Sequence, residues 1–281
     1  MHLLMILLGI STAWLLRQAW SPSHGSWQTR WNQALRTFVL PPVVLLMTAI
    51  AVICMGRQGW MVFGQEGWFY VWVALGYGMM ILTLLLHLGW QSWQFQRRLK
   101  QRYPLSNCCG EPCRLLNTPI LYSAQVGLWQ PELLVSQGLV DVLNPEHLQA
   151  VLCHEQAHRY YHDTFWFFGL GWLRRCTFWL PQTEALWQEL LLLREMRADR
   201  WAAQYTDPLL LAEALLTVVR SPAEFPSEFC AAFGEIEGGR DRFTERIEAI
   251  FEPEASQAMP QPSYGWLLWG LLPLLLVPFH S

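Results

Sequence analysis

Twenty-three consecutive residues, Trp68–Trp90, carry one histidine and no formal charge. About 20 apolar residues cross a hydrocarbon core, so this run reads as a membrane span. Three further apolar runs join it. Phe38–Met55 contains Pro41-Pro42, a pair that the first turn of a span tolerates. Leu3–Leu16 is shorter. No basic residue precedes it and no A-x-A cleavage site follows, so it reads as an uncleaved anchor rather than a signal peptide. Tyr264–Phe279 is sixteen residues long and opens with tryptophans, which gather at membrane–water interfaces. Composition points the same way. Hydrophobic residues make up 53% and charged residues 15% of the chain, where soluble domains carry about 25% charged residues. That hydrophobicity excludes a disordered chain. A formal net charge of −3 gives no basis for direct nucleic-acid binding.

Cytoplasmic loops carry an excess of Lys and Arg. The first loop holds Arg17, Arg30 and Arg36 and no acid, and the second sets Arg57 against Glu66. After the third span come Arg97, Arg98, Lys100, Arg102 and Arg114 against Glu111, a net +4. The expected protein is therefore integral to a membrane, a bacterial plasma membrane, with its N-terminus outside. Residues 1–93 form a three-span anchor, 94–262 a cytoplasmic domain, and 263–281 a C-terminal span. Ala255–Ser263, with two prolines, reads as the linker to that last span. The seven cysteines, at 54, 108, 109, 113, 153, 176 and 230, show no spaced framework. They read as mostly reduced thiols in a reducing compartment.

Within the cytoplasmic block, Arg114–Ser123 and Glu132–Val135 read as strands bounded by Pro, Asn and Gly. A helix is expected from Asn144 to about Tyr161. Asn144 suits the N-cap, Pro145 the first helical position, and Glu146 the helix dipole. A second helix should run from about Gln182 to Tyr205 and stop before Pro208, and a third over Arg240–Phe251. Thr164–Leu180 is rich in Phe and Trp but contains Arg174 and Arg175. A span through two adjacent arginines costs several kcal/mol. An interfacial helix or shallow hairpin, with the arginines reaching for headgroups, is the expectation.

The chemistry concentrates in His154-Glu155-Gln156-Ala157-His158. Residues four apart share a helix face, so both imidazoles can reach one metal ion. A catalytic zinc site takes three protein ligands and leaves a position for water. Glu155 projects beside the metal, where it can take a proton from that water and later pass it to a leaving amine. Glu195 and Asp199, four apart on the second expected helix, supply a candidate third ligand and a carboxylate to orient a ligand imidazole. The competing reading pairs them with Arg194, Arg197 and Arg200 on a solvated face. Apolar Leu190–Leu193 and Trp201-Ala202-Ala203 argue for burial instead.

The run VSQGLVDVLNPEHLQAVLCHEQAHRYYHD, Val135–Asp163, resembles the catalytic core of the antirepressor-type integral-membrane zinc peptidases. That family includes the β-lactam sensor-transducers and is related to the HtpX-type and CAAX-prenyl proteases. The matching features are Gly138-Leu139, Pro145-Glu146, the histidine motif and Asp163. Phe178-Trp179-Leu180-Pro181, Glu195-x-x-x-Asp199 and Tyr122–Gly127 follow the family's order. The resemblance covers about 115–205. It implies a mainly helical α+β gluzincin-like domain beside membrane spans, with one Zn2+ per chain on His154, His158 and Glu195. Glu155 would then be the general base and Asp199 would support a ligand histidine. The chain ends at His280-Ser281 with no penicillin-binding sensor after its last apolar run, so β-lactam sensing by this chain alone is not expected.

The expected function is a membrane-embedded zinc metalloendopeptidase. It would cleave a cytoplasmic or membrane-proximal protein, with a transcriptional repressor as one regulatory substrate. The alternative is a catalytically silent membrane scaffold or a signal-transducing component of a sensor complex. Several residues carry secondary expectations. Ser123, Ala124 and Gln125 form a possible edge strand onto which a peptide substrate adds. His162 either polarises a substrate carbonyl or is a polar residue beside the cleft. Arg246 either contacts the active site or caps an acidic cluster. Cys108, Cys109 and Cys113 read as free thiols rather than metal ligands, and His147 as an exposed first-turn residue.

Overall fold

The first three apolar runs form helices longer than the runs themselves. The computed structural model describes residues 2–22, 25–55, 66–219, 239–251 and 265–280. It contains α1 His2–Gln18, α2 Trp27–Met55, α3 Glu66–Arg102 and a 3₁₀ helix over Gly265–His280. Two helices, Trp27–Met55 and Trp68–Arg102, are long and apolar enough to cross a membrane. Arg57, Cys230 and the expected linker Ala255–Ser263 lie outside the described residues.

The chain divides into two units, the first comprising Met1–Leu88, Trp172–Leu190 and Met259–Ser281. Here the placement of Pro41-Pro42 differs from the sequence expectation. Because α2 begins at Trp27, the prolines sit in mid-helix rather than in a first turn. A proline inside a helix leaves the carbonyl four residues earlier without its donor, so Pro42 orphans the carbonyl of Phe38. Arg17 of α1 fills that gap, its Nη2 donating to Phe38 O at 3.0 Å. The same guanidinium donates to Thr183 Oγ1 at 3.2 Å and to Thr177 Oγ1 at 3.5 Å and lies over the Phe38 ring. Arg17 is fully buried. Neighbouring side chains commonly re-satisfy backbone groups freed by proline in membrane helices, and here the neighbour is charged. A second arginine, the half-buried Arg30 of α2, pairs with Glu189 at 2.8 Å.

The second unit, Gly89–Gly171 with Leu191–Ala258, holds a four-stranded mixed sheet in the order β1-β2-β4-β3. Its strands are β1 Leu105–Cys108, β2 Glu111–Leu116, β3 Ser123–Val126 and β4 Glu132–Ser136. The run expected as one strand, Arg114–Ser123, splits. β2 stops at Leu116 and β3 starts at Ser123, with Pro119 between them. β4 pairs parallel with β2 and antiparallel with β3. One face of the sheet sends Cys113, Leu133 and Val135 into a core with Leu148, Val151 and Leu152. Leu116 and Leu134 pack with Leu99 of α3.

The helices of this unit begin with α4 Gln137–Val142 and α5 Pro145–Tyr160. At α4 the chains approach so closely that a Cβ on Gly138 would lie 2.2 Å from Pro119 O. Asn144 caps α5 by accepting from His147 N at 2.8 Å. The Phe/Trp-rich segment is one helix, α6 Asp163–Cys176, not a hairpin. α7 covers Thr183–Ala202. Pro208, expected only as a stop, opens a further helix, α8 Pro208–Val219, since proline suits a first helical position. α9 covers Gly239–Phe251. Ala150, Cys153, Ala202, Leu211, Leu215 and Ile250 join α5, α7, α8 and α9 in a second core. His147, read as exposed, instead sits 3.1 Å from Glu213 of α8.

The cysteine reading also needs correction. Cys108 and Cys113 form a disulfide. Cys108 and Glu111 flank a two-residue turn, Cys109-Gly110, with φ of 52° and 91°, and Cys113 follows on β2, opposite Ser106. That hairpin brings the Cα atoms of Cys108 and Cys113 to 6.1 Å, within bridging range. Cys54, Cys109, Cys153 and Cys176 are free among the described residues.

The proline–arginine pairing predicts a non-additive mutant cycle. Arg17→Leu should destabilise the protein in detergent micelles, because Phe38 O loses its donor. Pro42→Ala restores an intrahelical N–H to that carbonyl and should reduce the cost of Arg17→Leu by about 1 kcal/mol. Strict additivity of the two unfolding free energies would show that Arg17 does not serve the proline gap.

Candidate metal centre

The site is built from residues of α5, α7, α9 and β3 that belong to the second unit. α5 is held by its cap and by Leu148, Val151 and Leu152 in the core, which turns His154 and His158 to one side. Their Nε2 atoms stand 3.2 Å apart. Glu195 of α7 faces them, with Oε2 3.4 Å from His154 Nε2 and Oε1 3.6 Å from His158 Nε2. One ligand atom from each of the three residues falls within 4.8 Å of the others. Zinc bonds of about 2.0–2.1 Å at tetrahedral angles set ligand atoms about 3.3 Å apart, so the observed spacings fit one ion. His154 and Glu195 are buried. The arrangement can hold a metal ion, and its nitrogen and oxygen donors suit a divalent transition metal.

Each imidazole is anchored through its other nitrogen. His154 Nδ1 lies 2.8 Å from Asp199 Oδ1, close enough to pair, though off the line of a strong hydrogen bond. His158 Nδ1 hydrogen-bonds Asp163 Oδ2 at 2.8 Å. Such contacts fix tautomer and orientation and raise ligand basicity. Sequence reasoning assigned the Asp199 role. It noted Asp163 only through the family resemblance and missed its contact with His158. The signal was its position just past the end of the motif helix, at the first residue of α6.

The carboxylates are themselves clamped. Arg246 of α9 grips Asp199 with two bonds, Nε to Oδ2 at 2.8 Å and Nη2 to Oδ1 at 3.0 Å. Its Nη2 is 3.6 Å from Glu195 Oε2. Of the two roles expected for Arg246, the geometry favours holding the acidic cluster. Arg194 contacts Glu195 Oε1 at 2.7 Å, and Arg197 pairs with Asp163 while lying over the Tyr161 ring. The pairing of Glu195 and Asp199 with arginines, weighed earlier as a solvated face, occurs in a buried setting.

Burial alone would lower the basicity of His154, but Asp199 and Glu195 outweigh it and raise the imidazole pKa to about 10. His158 is raised in the same sense by Glu195 and Asp163 against burial. Burial would push the Glu195 carboxyl up. Arg194 and the histidines instead hold it well below the usual range. Asp199 is held low against burial by Arg246 and His154. The cluster therefore attracts cations strongly.

Glu155 is buried and accepts from Ser123 Oγ at 2.9 Å, so the strand residue expected to meet substrate also holds the candidate base. Ala124 pairs with Leu134 inside the sheet. Gln125 is buried on β3. His162 is exposed at φ 53°, and its ring has no hydrogen-bond partner among the described residues. The structure does not bring it into the cluster. Comparison with protein-family models and with curated proteins returns no match.

Metal uptake should be proton-coupled. Metal-free His154, its pKa raised by Asp199 and Glu195, holds a proton at neutral pH and must lose it to bind. Zinc affinity, measured by competition with a chromophoric chelator, should rise between pH 6 and 8 by about tenfold per pH unit for each displaced proton. Glu195→Ala should weaken binding at every pH. A pH-independent affinity would remove the histidines from the ligand set.

Proposed function

We propose that this chain is a membrane-embedded zinc metalloendopeptidase of gluzincin type, akin to the antirepressor-type family that its motifs resemble. The observation that carries the reading is Glu155 held by Ser123 on the helix whose two histidines meet Glu195 at metal-ligand spacing. A bound zinc ion would act as the Lewis acid that activates water and polarises the scissile carbonyl. Glu155 would take the attacking water's proton and deliver it to the leaving amine. Asp199 and Asp163 would hold the imidazoles, and Arg246 would keep Asp199 ionised and aligned.

β3 supports a route for substrate. It is an edge strand, and Ser136 N donates to Tyr122 O at 2.9 Å in register with the strand pairs. Hydrogen-bonded pairs alternate along an antiparallel ladder. Ala124 and Val126 therefore bond to β4, while the N–H and C=O of Ser123 and Gln125 point to the open edge. An extended peptide can add there as a further strand. The substrate is then a stretch of polypeptide main chain, with a repressor as one regulatory possibility. Glu155→Gln preserves shape and ligands but removes the proton acceptor. Peptide cleavage should fall by about 10²–10⁴-fold with zinc content unchanged. Undiminished cleavage would remove Glu155 from the reaction, and absence of cleavage by the zinc-loaded wild type would leave a scaffold or signalling role.

For topology we propose spans at α2 and α3, assisted by the C-terminal 3₁₀ helix. At about 2.0 Å per residue a 3₁₀ helix of 16 residues covers about 32 Å, close to the hydrocarbon thickness. The basic residues after Trp93 favour a cytoplasmic site. The Cys108–Cys113 disulfide favours the opposite face, because disulfides persist in oxidising compartments. Cys109, exposed at the hairpin tip, separates the two. With Cys54 and Cys230 replaced by Ser, an impermeant maleimide should label Cys109 only after the membrane is opened. Labelling of intact cells would place the site outside.

A further inference from the structure

The hairpin that joins β1 to β2 carries three cysteines in six residues, Cys108-Cys109-Gly110-Glu111-Pro112-Cys113. Two of them are bridged and sealed. Cys113 is 0% and Cys108 8% exposed, and both lie in the core with Val151 and Leu152 of α5. β1 depends on that bond. It is an outermost strand, it pairs with β2 over four residues, and Cys108 is the buried one of its four.

Cys109 is placed differently. It is free and exposed, and it occupies the turn at φ 52° beside Gly110 at φ 91°. A two-residue hairpin turn with both φ positive favours Asn-Gly or Asp-Gly, whose first residue tolerates the left-handed region. Cysteine lacks that tolerance, and an exposed side chain recovers nothing through packing. A residue held in a sparsely populated backbone region without such a return points to a use for its side chain. Here one peptide unit separates the thiol from a buried cystine.

Thiol–disulfide exchange needs a thiolate to reach a sulfur of the bond, and access governs its rate. External thiols and disulfides reach Cys109 more readily than the two sulfurs in the core. We propose that Cys109 is an exchange site for low-molecular-weight thiols and disulfides, and that it relays their oxidation state to the Cys108–Cys113 pair. In the reduced hairpin the Cys109 thiolate attacks an external disulfide, forms a mixed disulfide and releases one external thiolate. Cys113 then attacks the Cys109 sulfur, which forms a Cys109–Cys113 bond and releases the second external thiolate. Cys108 attacks Cys113, which forms the observed bridge and returns Cys109 as a thiolate. The protons lost by Cys108 and Cys113 pass to the two released thiolates. One external disulfide is thus reduced while two cysteines are oxidised, and an excess of external thiol runs the same steps backwards. The hairpin is fastened to the core it shares with α5 in oxidising surroundings and unfastened in reducing ones.

The test uses the full-length protein in detergent, reduced with tris(2-carboxyethyl)phosphine and freed of it, with oxidised glutathione as the probe. Trypsin releases Tyr103–Arg114, which holds these three cysteines and no other. Acid quenching, N-ethylmaleimide and mass spectrometry then read each species on that peptide. In the wild type, glutathione should appear first on Cys109 and give way to the Cys108–Cys113 bridge. Cys109→Ser should close the bridge about tenfold more slowly. Cys109→Asn, which suits the turn, should be equally slow while its oxidised form melts at or above the wild-type temperature, which separates slow closure from a folding defect. The oxidised wild type should melt about 5 °C above the reduced one. Closure at the wild-type rate in both variants, or glutathione on Cys108 or Cys113 ahead of Cys109, would overturn the relay. Equal melting temperatures in the two redox states would overturn the fastening of the hairpin to the core.

Discussion

Charge withdrawn from water must be matched by charge or by oriented hydrogen bonds, and both units are organised around that requirement. Removing one partner of a buried ion pair typically costs about 3–5 kcal/mol, so each such group holds the elements around it. In the first unit Arg17 meets a proline-orphaned carbonyl and two threonine hydroxyls, and Arg30 meets Glu189. In the second, Glu195, Asp199 and Asp163 face two imidazoles on one side and Arg194, Arg246 and Arg197 on the other. The carboxylates stay ionised because their neighbours outweigh the burial.

The site is also organised in advance of any ligand. Ser123 restrains Glu155, two aspartates orient the imidazoles, and a bidentate arginine fixes one of those aspartates. Groups held this way need little rearrangement to meet an ion or a polar transition state.

Local spacing was legible in the residues alone. His154 and His158 share a face because a helix repeats every 3.6 residues, and Asn144 with Pro145 marks the start of α5 through cap chemistry that reaches only three residues ahead. The long apolar runs announced α2 and α3 by length and hydropathy, which need no partner to be read. Tertiary structure alone decided the rest. Nothing local tells Arg246 to grip Asp199, Arg17 to serve the carbonyl that Pro42 orphans, or Cys108 to bridge Cys113 across a turn. The alternation that turns the backbone N–H and C=O of Ser123 and Gln125 away from β4 depends on which residue of β4 lies opposite. Periodicity and caps are properties of neighbouring residues, whereas charge matching and strand register are properties of residues that only folding brings together.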